Sequence, residues 1–303
     1  MGFTEQLPFL AQLLSRSYLI LLLTPQSLTS ECRGIPQFLK KLNLSPQNVS
    51  LSTSERPFIG LTAIIISGQK RQVIQHPSWE SFGYLGPVTV DGRGNIYTAP
   101  VPVINVLRNP ALRQNKILQV SGKSGELSEY LDLGGSLTYN PENPYGILTL
   151  FVECDLNILY AGTVSGSSRE LIKGEVVAID LGKNEVIGRV TGLDPLGVTV
   201  GKINGKWVLI SGDSRSSNIY MRALSTAGNF TDDSWQPIIS LSSRGPRGND
   251  KARRLRFQKT GELIVHGVEF NFNLTAPTEK EETIYQFKRG EDNSWDEITD
   301  SLN

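Results

Sequence analysis

Histidine is nearly missing from this chain: His76 and His266 are the two present among 303 residues, alongside two cysteines, Cys32 and Cys154. None of the four stands at a zinc-ligand spacing, so no His- or Cys-based metal centre is expected. Two cysteines are also too few for a disulfide framework. Cys154 ends a strand-like run (residues 148–154) and reads as a buried, inert thiol; a bridge to Cys32 requires the N-terminal region to be retained and to fold back. Net charge is absent as well, because thirty Lys and Arg balance thirty Asp and Glu. No global field therefore draws the molecule to nucleic acid or to an anionic membrane. Long apolar runs are missing too: residues 17–23 fall far short of the roughly 20 needed to cross a bilayer. The partner to expect is a small molecule or a protein, with no nucleic acid and no transmembrane span.

The first thirty residues are nonetheless distinctive. Arg16 precedes the apolar run Ser17-Tyr-Leu-Ile-Leu-Leu-Leu23, and small polar residues follow to Ser30. That order of charge, apolar core and small residues reads as a secretory signal over 1–30. A lipid-anchored Cys32 is a weaker reading, since Glu31 occupies the place such signals give to a small residue. Residues 31–57, with Pro36, Pro46 and Pro57, read as a linker carrying a helical turn near 37–42. The folded domain is expected over 58–303, in a secreted, periplasmic or cell-surface protein.

What the chain has in quantity is glycine and proline, 29 and 16 residues, the composition of a turn-rich β protein. A repeat organises them. Leu85-Gly-Pro-Val-Thr-Val90 passes through Asp91-Gly-Arg-Gly94 into residues 95–98. Residues 145–150 pass through 153–155 into 157–161, residues 196–200 pass through Asn204-Gly205 into 206–210, and residues 254–257 pass through Thr260-Gly261 into 262–265. Each is a strand, a tight turn and a second strand, followed by two further strand-like pieces. The units recur at roughly 50 to 60 residues, the period of four-stranded propeller blades. One blade cannot cover both of its faces, so blades stack radially and bury one another. Residues 59–66 and 71–75 add two more strands. The fold expected is therefore all-β, a β-propeller of four-stranded antiparallel blades, four clear plus at least a partial fifth, with five or six in all.

The phrase Leu196-Gly-Val-Thr-Val, Asn204-Gly, Trp207-Val-Leu-Ile-Ser-Gly-Asp213, Asn218-Ile-Tyr220 resembles blades of the NHL-repeat and regucalcin/gluconolactonase-like propellers. The resemblance runs over about residues 58–303 and implies six blades. It also implies a divalent cation in the central channel, held by an acid or amide ahead of the glycine that opens an inner strand. Here those places hold Leu85 (Leu85-Gly86-Pro87), Tyr145 (Pro144-Tyr145-Gly146) and Leu196 (Pro195-Leu196-Gly197). None offers the hard anionic oxygen such an ion prefers. Without the ion there is neither Lewis acid nor activated water, so no metal and no cofactor are expected.

In the same register Leu85, Tyr145, Leu196 and Arg254 cluster at the channel mouth, either as a rim for an amphipathic or anionic ligand or as a plug. Arg244, Arg247, Lys251, Arg253, Arg254, Arg256 and Lys259 form a basic stretch that the acidic residues 279–300 can balance. Arg256, between Leu255 and Phe257, is expected to point inward. Asp213, with Ser214, Ser216 and Ser217 around Arg215, is a self-capping turn rather than a nucleophile site. His266 is a satisfied core histidine with Glu269 as the nearest carboxylate in sequence. No catalytic residue is assigned. The function expected is an exported, non-enzymatic ligand- or protein-binding propeller. The alternatives are a hydrolase with a rearranged channel site and a structural module of a surface assembly.

Overall fold

A computed structural model describes residues 26–27, 34–41, 48–102, 113–134, 142–258, 261–272 and 281–298. It contains five four-stranded antiparallel sheets, each a meander of consecutive strands. The first is β1 (Gln26–Ser27), β2 (Val49–Ser52), β3 (Thr62–Ser67) and β4 (Lys70–Ile74). The second is β5 (Leu85–Val90), β6 (Ile96–Pro100), β7 (Lys116–Val120) and β8 (Leu127–Asp132). The third is β9 (Ile147–Glu153), β10 (Ile158–Thr163), β11 (Glu175–Asp180) and β12 (Glu185–Thr191). The fourth is β13 (Pro195–Ile203), β14 (Lys206–Asp213), β15 (Asn218–Ala223) and β16 (Gln236–Ser240). The last is β17 (Lys251–Phe257), β18 (Leu263–Val268), β19 (Thr283–Arg289) and β20 (Trp295–Glu297).

The partial fifth unit of the sequence is thus a whole sheet, completed from upstream of residue 58. β2 lies in the stretch read as a linker, and β1 lies within the segment read as a leader. Between them, α1 (Gln37–Lys41) buries Phe38 and Leu39 against the first two sheets.

Turn chemistry sets the hairpins. Asn204 and Gly205 join β13 to β14 with φ of 51° and 76°, the two left-handed residues that a tight hairpin of the right twist needs. Strand alternation then sorts side chains to opposite faces. On β10, Leu159 and Ala161 enter the core shared with the second sheet, while Ile158 and Tyr160 enter the core shared with the fourth. The four apolar clusters each lie between consecutive sheets. This is radial stacking: every inner sheet buries both faces, which a lone four-stranded sheet cannot do.

Two threonines join the sheets beyond apolar contact. Thr89 Oγ1 accepts the Val152 N–H at 3.3 Å, and Thr149 Oγ1 accepts the Val198 N–H at 3.1 Å. Each threonine satisfies a donor on the first strand of the following sheet, where an edge would otherwise be unpaired. A covalent bond is present as well. Cys154, between β9 and β10, is disulfide-bonded, and the chain's one other cysteine, Cys32, lies outside the described residues. The reading of Cys154 as an inert thiol is corrected: the chain upstream of β2 does fold back, and the Gly34 N–H donates to the Asp91 carbonyl at 2.8 Å.

Candidate ligand site at the heads of the inner strands

The first strands of the second to fifth sheets touch in series, β5 on β9, β9 on β13 and β13 on β17. Each carries a register shift: between Leu85 and Val88, around Leu148, around Leu196 and around Arg253. A bulge leaves one residue out of the ladder and re-aims its side chain. In β17, Ala252 pairs with Gly267 and Arg254 with His266, so Arg253 is the surplus residue.

The expected site residues divide. Leu85 is 2% exposed and belongs to the apolar core between the first two sheets. Leu196 is equally buried. Tyr145 is half-buried just ahead of β9, and its ring lies 5.4 Å from that of Phe270, which follows β18. Phe270 in turn meets Phe272 at 5.7 Å, and the Arg215 guanidinium sits 5.5 Å above the Phe272 ring. An aromatic row therefore links residues of the third, fifth and fourth sheets. Burial pushes the Tyr145 phenol pKa up, and the Arg253 guanidinium pulls it partly back.

Arg254 is committed to an ion pair. Its Nη2 donates to both oxygens of Glu282, at 2.5 and 2.7 Å, and His266 Nδ1 lies 3.0 Å from Glu282 Oε2. The carboxylate on His266 is thus Glu282, while Glu269 is exposed. Burial alone would raise the Glu282 pKa, but the hydrogen bonds from His266 and Arg254 outweigh it and hold it at about 2. Arg253 differs. Solvent reaches it, yet burial is the main cause lowering its pKa, with Arg254 adding to the effect. The side chain is exposed to solvent and carries its charge close to that second guanidinium. Among the described residues, Glu282 is the carboxylate acting on it, and that group already serves Arg254 and His266.

Two buried acids brace the same ends of the sheets. Asp194, 0% exposed, accepts from Ser167 Oγ and the Gly174 N–H at 2.5 and 2.8 Å and pairs with Arg215. Arg215 also donates to the carbonyls of Arg169 and Leu171, at 2.8 and 2.5 Å, pinning that loop. Asp250, also 0% exposed, is gripped by Arg247 at 2.5 and 2.9 Å and by Tyr285 Oη at 2.8 Å. Burial would raise the Asp250 pKa; these bonds reverse the sign and lower it.

Asp213 caps its own turn, accepting the Ser216 N–H at 3.0 Å and Ser216 Oγ at 2.7 Å. Arg256 is exposed, which corrects the expectation that it points inward; on a strand bulged at Arg253 the alternating partners Leu255 and Phe257 take the inner face. The acidic C-terminal stretch does balance the basic one, through Arg244 with Glu297 and Arg254 with Glu282. Among the described residues no three His, Cys, Asp or Glu side chains gather as a metal site would need, and no helix is long and apolar enough to cross a membrane.

Five radially packed sheets with their first strands in series define a β-propeller of five four-stranded blades. Solved structures are similar to this chain. A protein from Lactobacillus plantarum matches with a TM-score of 0.52 and 14% identity, over 84% of this chain and 68% of its own. An exo-β-1,3-galactanase from Phanerochaete chrysosporium, solved with galactose, matches with a TM-score of 0.51 and 11% identity, over 82% of this chain and 59% of its own. A calcium-binding regucalcin from Agrobacterium tumefaciens is also similar, at a TM-score of 0.44 and 13% identity, over 72% of this chain and 65% of its own. At such identities the likeness is one of fold. No family model matches the chain, and no curated protein does either.

Proposed function

We propose that this chain is an exported, non-enzymatic propeller of the NHL-repeat and gluconolactonase-like kind. It binds a ligand at the heads of its inner strands. The observation that carries the reading is the row Tyr145–Phe270–Phe272 beside Arg253, set among acids that are engaged elsewhere. Asp194, Asp250 and Glu282 each serve an arginine. The Glu282 carboxyl, held at about 2, is ionised at neutral pH and is not the raised-pKa acid that glycoside cleavage uses. The aromatic row supplies apolar area and the arginine supplies orientation, the usual composition of a small-molecule site.

The oxidised state of Cys154 supports export, since such bonds persist in oxidising compartments.

The reading is tested on the full chain by thermal melts with small aromatic alcohols, carboxylates and phosphates. Melts with calcium and with EDTA run in parallel, as do turnover assays on δ-gluconolactone and p-nitrophenyl galactoside. Stabilisation by some of the aromatic probes is expected, abolished in Tyr145→Ala and Phe270→Ala, with no turnover and no calcium shift. Turnover that a chelator stops, or several degrees of stabilisation by calcium, would overturn it.

A further inference from the structure

Resting on that reading of the mouth, we infer that its ligand carries an oxyanion, a carboxylate or a phosphate, which Arg253 binds while the body of the ligand lies on Tyr145 and Phe270. Four observations converge. Arg253 is the surplus residue of the β17 bulge, so its side chain leaves the ladder without disturbing it. No hydrogen bond or ion pair to Arg253 exists among the described residues, whereas Arg215, Arg244, Arg247 and Arg254 each hold a carboxylate. It stands directly beside another guanidinium, that of Arg254, so the positive potential at its place is not cancelled by the single Glu282 that the two arginines share. And it lies close enough to the Tyr145 ring, the end of the aromatic row, for its charge to act on the phenol.

A guanidinium beside a second guanidinium, with no carboxylate of its own, lacks both a neutralising charge and an acceptor for its N–H donors. A planar oxyanion supplies both, through two parallel N–H···O bonds that a neutral ligand cannot make. The neighbouring ring faces then fix the orientation of an aromatic or otherwise flat ligand body, on which Arg253 itself has no purchase.

The probes are benzoate, phenyl phosphate and their neutral counterpart benzyl alcohol, followed by ligand-observed NMR on the full chain and on Arg253→Gln and Arg253→Lys. Circular dichroism and melts confirm that the variants fold. Benzoate or phenyl phosphate is expected to bind more tightly than benzyl alcohol, and the ratio of the first two tells carboxylate from phosphate. Arg253→Gln is expected to weaken the anionic probe by about tenfold or more, as for loss of a charged hydrogen-bonding pair, with Arg253→Lys intermediate. Equal binding of benzoate, phenyl phosphate and benzyl alcohol, unchanged in Arg253→Gln, overturns the anion inference and leaves the binding mouth standing. Absence of any probe binding that Phe270→Ala removes overturns both.

Discussion

Glu282 is where charge at the mouth is settled, because one carboxylate answers Arg254 and His266 at once. Folding takes its pKa from 4.5 to about 2, so the folded protein binds that proton less readily than the unfolded chain. The resulting stabilisation is complete above the unfolded value and disappears as the pH falls through the folded one. Its size is on the order of 2 kcal/mol. Glu282→Gln should therefore be less stable than wild type at neutral pH, and the gap should close over the acid window between those two values. Chemical denaturation at a series of pH values reads this directly, and a gap that stays constant across the window refutes it. The residue scale is also where the sequence was least legible. The alternating run Arg254-Leu-Arg-Phe257 looks like the start of a strand and puts Arg254 at its head. β17 begins at Lys251 instead, and the bulge hands the unpaired position to Arg253. A single surplus residue leaves no trace in a period-two pattern. Glu282 was missed for a related reason: it lies sixteen positions from His266, and only the pairing of β18 with β19 brings the two together.

At the scale of the strand the sequence is legible, since β5 matches its expected bounds, Leu85–Val90, and the other hairpin strands fall within a few residues of theirs. Alternation of apolar residues, broken by Asn-Gly and Asp-Gly turns, carries that information locally. What alternation does not carry is how one sheet meets the next. The fourth strands of three sheets skip a residue against their partners, at Tyr130, Ile187 and Ile238, and all three side chains pack against the intersheet cores. The threonine bonds between sheets are equally invisible from outside. Thr149→Val keeps shape and volume but deprives the buried Val198 N–H of its acceptor, at a cost of roughly 1–3 kcal/mol. Urea titration should show that loss as a lower midpoint at unchanged slope. A variant as stable as wild type would mean the bond does not join the third and fourth sheets.

For the whole molecule, the count of sheets and the status of the N-terminal region were the open matters. A strand of two residues and one of four lack the length to register as a repeat, so the first sheet looked like half of one. Its completion depends on chain that returns from far upstream, and the oxidised Cys154 belongs to that return. Reduction of the full chain under native conditions should lower its melting temperature, with a loss of about 2–4 kcal/mol, and Cys154→Ser should reproduce the effect and be insensitive to reductant. If neither differs from the oxidised protein, the bond is incidental to holding the N-terminal segment.

The surplus residues at the heads of the inner strands have one more implication. Leu148, Leu196 and Arg253 occupy that place in three consecutive sheets, and none of them takes part in the pairing that defines its blade. Where that residue also escapes burial, as at Leu148 and Arg253, chemical identity is decoupled from the ladder: a leucine and an arginine are alternative settings of the same socket. A scaffold built this way acquires new specificities one substitution at a time, and engineers as well as lineages can rewrite its mouth without rebuilding its body.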